Sequence, residues 1–326
     1  MKAWMRSEIR SSACVLLLLA SGFFPSAGAA QAGLLLPGLY RLDAGSTYQT
    51  GCFDPCMCPI MAEVPVLGTL TLAFAGSDGL FDVYEIRDVN WMVRLGDAEL
   101  RVAGSGRFRI GGEFALEQQL ELDLQVGDRP IQHFDSGRVP AKGTASIDAT
   151  VSVSGMFCFD TVFVVRASPV PPAAIRPYRL ETGSAFQRGC VGMCDCLAGE
   201  PLPIRGTFGL VDLAREPAVG ELFSRFAVVN VRWRVDLDGA GPAGAVPIRG
   251  FGSYERGGEF ALQERLLLDL TLDGEPPARF DSGVVAGGAQ FPRLDIQVAN
   301  GDPQCFQTTI DVRARPSRRL RTDRRF

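Results

Sequence analysis

Apolar and polar residues alternate with a period of two along most of this chain. Leu120, Leu122, Leu124 and Val126 are separated by Glu121, Asp123 and Gln125, and Ala145, Ile147, Ala149, Val151 and Val153 by Ser, Thr and Asp148. A period of two sends successive side chains to opposite faces of a pleated strand, so these segments predict strands with one buried and one wet face. Breaks containing Gly or Pro fall roughly every ten residues and delimit about eight such segments in each half of the chain. No segment after residue 32 carries a helical period, and the expected class is all-β.

The pattern also repeats as a whole, which divides the chain more firmly than its length does. LYRLDAGSTYQTGCFDPCMC at 39–58 returns as PYRLETGSAFQRGCVGMCDC at 177–196, and DVNWMVRL at 88–95 as NVRWRVDL at 230–237. GSGRFRIGGEFALEQQLELDL at 104–124 recurs as GFGSYERGGEFALQERLLLDL at 250–270, each followed by FDSG, at 134–137 and 280–283. Two tandem homologous antiparallel β domains follow, at 38–167 and 178–314. Long strands with short turns imply pairing between consecutive strands, hence a meandering barrel, round or flattened, with a β-sandwich as the alternative. The Pro-rich linker SPVPPAAIRP at 168–177 predicts an extended, semi-rigid spacer. Trp91 and Trp233 sit at equivalent strand positions and are expected in the two cores.

Residues 1–32 read as a signal peptide and its cleavage region. Basic Lys2, Arg6 and Arg10 precede an apolar run from Cys14 to Phe24, and Ala27-Gly28-Ala29 and Ala30-Gln31-Ala32 both offer small-x-small cleavage sites. The run is too short to span a bilayer, and no transmembrane segment is expected in the mature chain. Export to the periplasm, cell surface or extracellular space is the corresponding expectation. Charge divides along the chain: of a net −4, the first 29 residues hold +2 and the last 12 hold +5, leaving −11 for the body. An acidic body excludes nucleic acid as the expected partner, and the partner remains unknown at this level. The basic tail at 315–326 is expected to be disordered and is suited to acidic surfaces.

Each copy carries four cysteines in the order C-x3-C-x-C and then a lone Cys about a hundred residues on: Cys52, Cys56, Cys58 and Cys158, then Cys190, Cys194, Cys196 and Cys305. In an exported chain this predicts a disulfide framework. Direct pairing of Cys56 with Cys58 would strain a very short loop. One of the first three is therefore expected to reach Cys158, with the other two paired locally, and likewise in the second copy. The competing chemistry is a soft metal site. Cys52, Cys56 and Cys58 with Met57 and Met61, and Cys190, Cys194 and Cys196 in the second copy, are sulfur ligands suited to Cu(I). The methionines lack aligned counterparts, and no metal or other cofactor is expected.

Histidine-based catalysis has one candidate, His133, whose counterpart is Arg279. The twin FDSG motifs offer another route. Two homologous β lobes that each present Asp-Ser-Gly resemble the pepsin-like aspartic proteases, whose two aspartates share one proton. The resemblance covers four residues per copy and would assign Asp135 and Asp281 as the catalytic pair. Their flanks, QHFDSGRV and ARFDSGVV, depart from the buried, small-residue surroundings of that family. A tight turn, with Phe134 and Phe280 in the core, is the favoured reading. The expected protein is thus an exported, non-catalytic binding or structural module, with an aspartic-type acid hydrolase and copper handling as alternatives.

Overall fold

In the computed structural model the described residues are 38–59, 62–95, 98–190, 197, 199–213, 222–236, 245–301 and 305–317. The expected signal peptide lies outside them. The first copy contains β1 (Gly38–Leu42), β2 (Thr47–Cys52), β3 (Val64–Ser77), β4 (Phe81–Leu95), β5 (Ala98–Gly111), β6 (Glu117–Val126), β7 (Gln132–Asp135), β8 (Val139–Pro140), β9 (Ile147–Ser152) and β10 (Phe159–Pro169). The second contains β11 (Ile175–Leu180), β12 (Ala185–Cys190), β13 (Leu202–Asp212), β14 (Phe223–Val235), β15 (Val246–Gly257), β16 (Gln263–Leu272), β17 (Ala278–Asp281), β18 (Val285–Ala286), β19 (Leu294–Gly301) and β20 (Phe306–Pro316). The only helical element among the described residues is a 3-10 turn, Pro172–Ala174, between the copies.

Every pairing is antiparallel, and the two copies share one pairing scheme. In the first, β2 to β7 pair in chain order, β10 returns to lie between β1 and β2, and β9 pairs with β10. The meander is therefore the expected one, with two short strands more per copy than the sequence pattern delimits. The barrel is not closed. β7 meets β9 through the single pair Asp135↔Ser152, and β17 meets β19 through Asp281↔Ala299. The reason is local: β7 is four residues long, ends at the FDSG turn, and the chain then detours through β8 before β9 begins. Each copy is one curled sheet around one core, and the two-sheet sandwich is not formed either.

The inward set of the alternation fills these cores. Leu120, Leu122, Leu124 and Val126 of β6 are buried against Tyr40, Trp91, Phe108, Phe134 and Phe163, and Leu266, Leu268 and Leu270 against Tyr178, Phe208, Trp233 and Phe280. Burial of such side chains is the main source of stability, about 1.5–3 kcal/mol for each large one. Trp91 and Trp233 are 1% and 2% exposed, as expected of core aromatics.

The copies are packed together, and the linker does not space them. Of the expected spacer, 168–169 belong to β10 and 175–177 to β11. Strand pairing extends into the linker because the Val170 N–H donates to the Leu39 carbonyl at 2.8 Å. Val170 and Ile175 join Leu39 and Leu67 against Val211, Leu213, Ala227 and Val229 of the second copy. Polar contacts cross the same seam: Arg101 Nη2 lies 2.6 Å from Asp269 Oδ2, and Asn90 Nδ2 donates to the Gly252 carbonyl at 2.6 Å. The expected tail also starts later than its composition suggests. Arg315 and Pro316 pair with Arg179 and Tyr178, the Ser317 N–H donates to the Pro177 carbonyl, and 318–326 lie outside the described residues.

Candidate functional site

The two FDSG segments are turns of one design. In the first, the Gly137 N–H donates to Asp135 Oδ1 at 2.9 Å, Ser136 Oγ accepts from the Leu120 N–H at 2.9 Å, and Ser136 Oγ donates to the Gly137 carbonyl at 2.7 Å. The second repeats these contacts at 2.8, 2.9 and 2.7 Å among Asp281, Ser282, Gly283 and Leu266. Gly137 and Gly283 have φ of 60° and 61°, a conformation that favours glycine. Phe134 and Phe280 are core residues, so the motif reads as a plug followed by a turn.

Asp135 and Asp281 belong to different sheets and have different neighbours. Gln119 donates to Asp135 at 3.1 Å, whereas Arg265 grips Asp281 with Nε at 3.1 Å and Nη2 at 2.6 Å. Partial burial pushes the Asp281 carboxyl up, but the Arg265 hydrogen bond and the Gly283 N–H outweigh it and hold it below the ordinary aspartate range. A carboxylate held ionised by arginine is poorly suited to keep the shared proton of an aspartic dyad.

His133 has an equally local role. Its Nδ1 lies 2.8 Å from Asp123 Oδ1, directly across the ladder, and its counterpart Arg279 lies 3.4 Å from Asp269. Each is a cross-strand polar pair facing away from its own core, His133 and Asp123 toward solvent and Arg279 and Asp269 beside the Arg101 contact.

Among the cysteines, Cys52 pairs with Cys58 and Cys56 with Cys158. The loop after β2 is thereby tied to the start of β10. No thiolate remains at Cys52, Cys56 or Cys58 for a soft metal, and the Met57 side chain stands in solvent. Cys190 and Cys305 are also disulfide-bonded, while Met61, Cys194 and Cys196 lie outside the described residues. Among the described residues no group of three or more His, Cys, Asp or Glu side chains converges on a metal position.

Two features escaped the sequence pattern. The first is a pair of exposed apolar hairpin tips. Phe114 and Phe260, in the identical GGEFAL segments, are each 94% exposed, and Leu80 with Leu116 and Leu222 with Leu262 accompany them. Each β5–β6-type tip is tied to its neighbour, the Gly112 N–H donating to the Leu80 carbonyl at 2.9 Å and the Gly258 N–H to Leu222 at 3.1 Å. The available signal was a phenylalanine beside turn glycines and Glu, outside the strand alternation.

The second is a cleft of about 530 Å³ at the seam between the copies. Leu39, Val170, Ile175, Val229, Phe251 and Pro169, Pro171 and Pro172 make most of its wall. Thr69, Thr71, Asp88 and Asn230 supply its side-chain polar groups, and Asp88 alone of the described lining residues is ionisable. Asp88 and Asn230 are the same position in the two copies, three residues before each Trp. Both occupy β-bulges, where the register slips between Ile86 and Val89 in β4 and between Val228 and Val231 in β14. Both also take positive φ, 52° and 53°, which Asp and Asn tolerate better than other side-chain-bearing residues. Bulges re-aim side chains, and this one brings an equivalent residue of each copy to one cleft.

Crowding by the cleft walls pushes the Asp88 carboxyl above the ordinary aspartate range, against the pull of the Arg87 charge and a hydrogen bond from Thr71. Asp88 is itself exposed to solvent, so the rise is that of a crowded carboxyl, not an enclosed one. Arg87 also bonds to Glu85, so its guanidinium is shared between the two carboxylates. Comparison with protein-family models, with curated proteins and with solved structures found no match to this chain.

Proposed function

We propose that the chain is an exported, non-catalytic binding module that works at the cell envelope or beyond it, and that the cleft between its two copies holds its ligand. The observation that carries this reading is the cleft itself: a concave, mainly apolar space of about 530 Å³ with a few converging polar groups, placed where two domains meet. Ligand sites concentrate in such places and have such linings. Export rests on the N-terminal signal-peptide pattern and agrees with the disulfides of the mature body. The absence of a catalytic role is favoured because Asp135 and Asp281 are engaged in their own turns. The exposed tips at Phe114 and Phe260 add apolar contact points of the kind that mark interaction surfaces.

The test is an amide and methyl NMR screen of the mature protein against small aromatic and aliphatic fragments. Shifts concentrated on Leu39, Val170, Ile175 and Val229, and lost in Val170→Trp, support the cleft. A screen that moves none of these resonances overturns it.

A further inference from the structure

We infer that the cleft selects a protonated amine carried on an apolar body; this deepens the reading of the cleft as a ligand site and rests on it. The choice follows from what each ligand class would meet. An anion would face Asp88 with no cationic side chain on the described wall to receive it. A purely apolar ligand would cover Asp88 and strip its carboxylate of water, with the Thr71 hydrogen bond and the Arg87 charge as its only compensation, a costly burial for a charge. An ammonium group gives that carboxylate a charge-assisted hydrogen bond and leaves the apolar body to Val170, Ile175 and Val229.

Two further observations point the same way. The second copy contributes Asn230, whose amide oxygen is an acceptor at the position equivalent to Asp88, so the bulges of both copies offer oxygen to a donor-rich head group. Phe251 on the same wall provides an aromatic ring, a group whose face attracts ammonium ions.

Phenethylammonium and 2-phenylethanol are probes of nearly one shape that differ in charge. Titrated separately into the mature protein and followed by NMR, phenethylammonium is expected to bind roughly tenfold more tightly. Asp88→Asn is expected to abolish that difference by weakening phenethylammonium binding. This variant should fold normally, because Asn230 already occupies the equivalent bulge with the same backbone angle, and an unchanged melting temperature confirms it. Asn230→Asp is expected to widen the preference further. Equal affinity for the two probes at the cleft, insensitive to Asp88→Asn, overturns the amine inference and leaves the cleft standing as an apolar site. Failure of both probes to perturb cleft resonances overturns the inference and the cleft reading together.

Discussion

Asp135 and Asp281 show how a single neighbour changes the part played by the same residue. The turns around them are alike to within 0.1 Å in the Asp–Gly hydrogen bond, yet Gln119 in one copy is replaced by Arg265 in the other. Asp281→Asn keeps an oxygen for the Gly283 N–H and removes only the ion pair. About a third of each side chain of that pair is exposed, so the expected loss is about 0.5–1 kcal/mol in urea unfolding at pH 7. Because the folded-state value of Asp281 is lowered, its contribution is present above the unfolded aspartate range and is lost as pH falls through the lowered value. The parent and Asp281→Asn should therefore converge in stability in strong acid, and a gap that persists there contradicts the assignment. Turn chemistry of this sort was legible in the sequence, because Asp, Ser and Gly act on their own backbone. The exposure of Phe114 was not, since alternation assigns large apolar residues to the inside and does not mark where a strand has ended.

Strands were legible where they alternate and illegible where they bulge. β6 has its inward leucines where the period puts them, whereas nothing in DVNW or NVRW announces the slipped register at Asp88 and Asn230. A bulge adds one residue to one strand, and a polar residue there looks like any outward position. The runs Phe226–Val229 and Asn90–Val93 held a readable signal, because they break alternation and are buried on both faces. A close approach between strands lies beside these runs. Gly68 stands opposite Trp91, and a Cβ there would come within 2.2 Å of the Asn90 carbonyl oxygen and 2.7 Å of the Trp91 Cα. Gly206 stands in the same relation to Trp233. Gly68→Ala is expected to destabilise the first copy by about 2 kcal/mol or more, from a φ of 147° and the enforced separation of β3 and β4. Thermal unfolding and Trp91 fluorescence together check it, and an unshifted melting temperature would contradict the close packing.

For the whole molecule, the duplication was plain in the sequence and the seam was hidden by it. Some contacts that join the copies use residues that occur once: Asn90 corresponds to Arg232, and Arg101 to Pro247. The features shared by the two copies therefore leave these contacts out. Arg101 and Asp269 are 12% and 15% exposed, and burial pulls Arg101 down to about 10 despite the opposing pull of Asp269. Removing the acid strands a largely buried guanidinium, so Asp269→Asn is expected to cost about 3 kcal/mol. Replacing both residues together with apolar ones of similar size should recover most of that loss. Denaturant titration of the single and double variants measures this, and equal losses in both would show that the pair, and not the stranded charge, carries the energy.

The Cys56–Cys158 link has a mechanical meaning for a protein held between two attachments. Tension entering near the N-terminus crosses from Cys56 straight to the head of β10, so the 102-residue span between the two cysteines is bypassed. At about 3.4 Å per extended residue, some 350 Å of chain stays locked while the link is intact. Single-molecule stretching should show the first copy yielding a short extension under oxidising conditions and about 350 Å more once a thiol reductant is present. Reach under load is thus set by redox state, and the tether slackens only where disulfides are reduced.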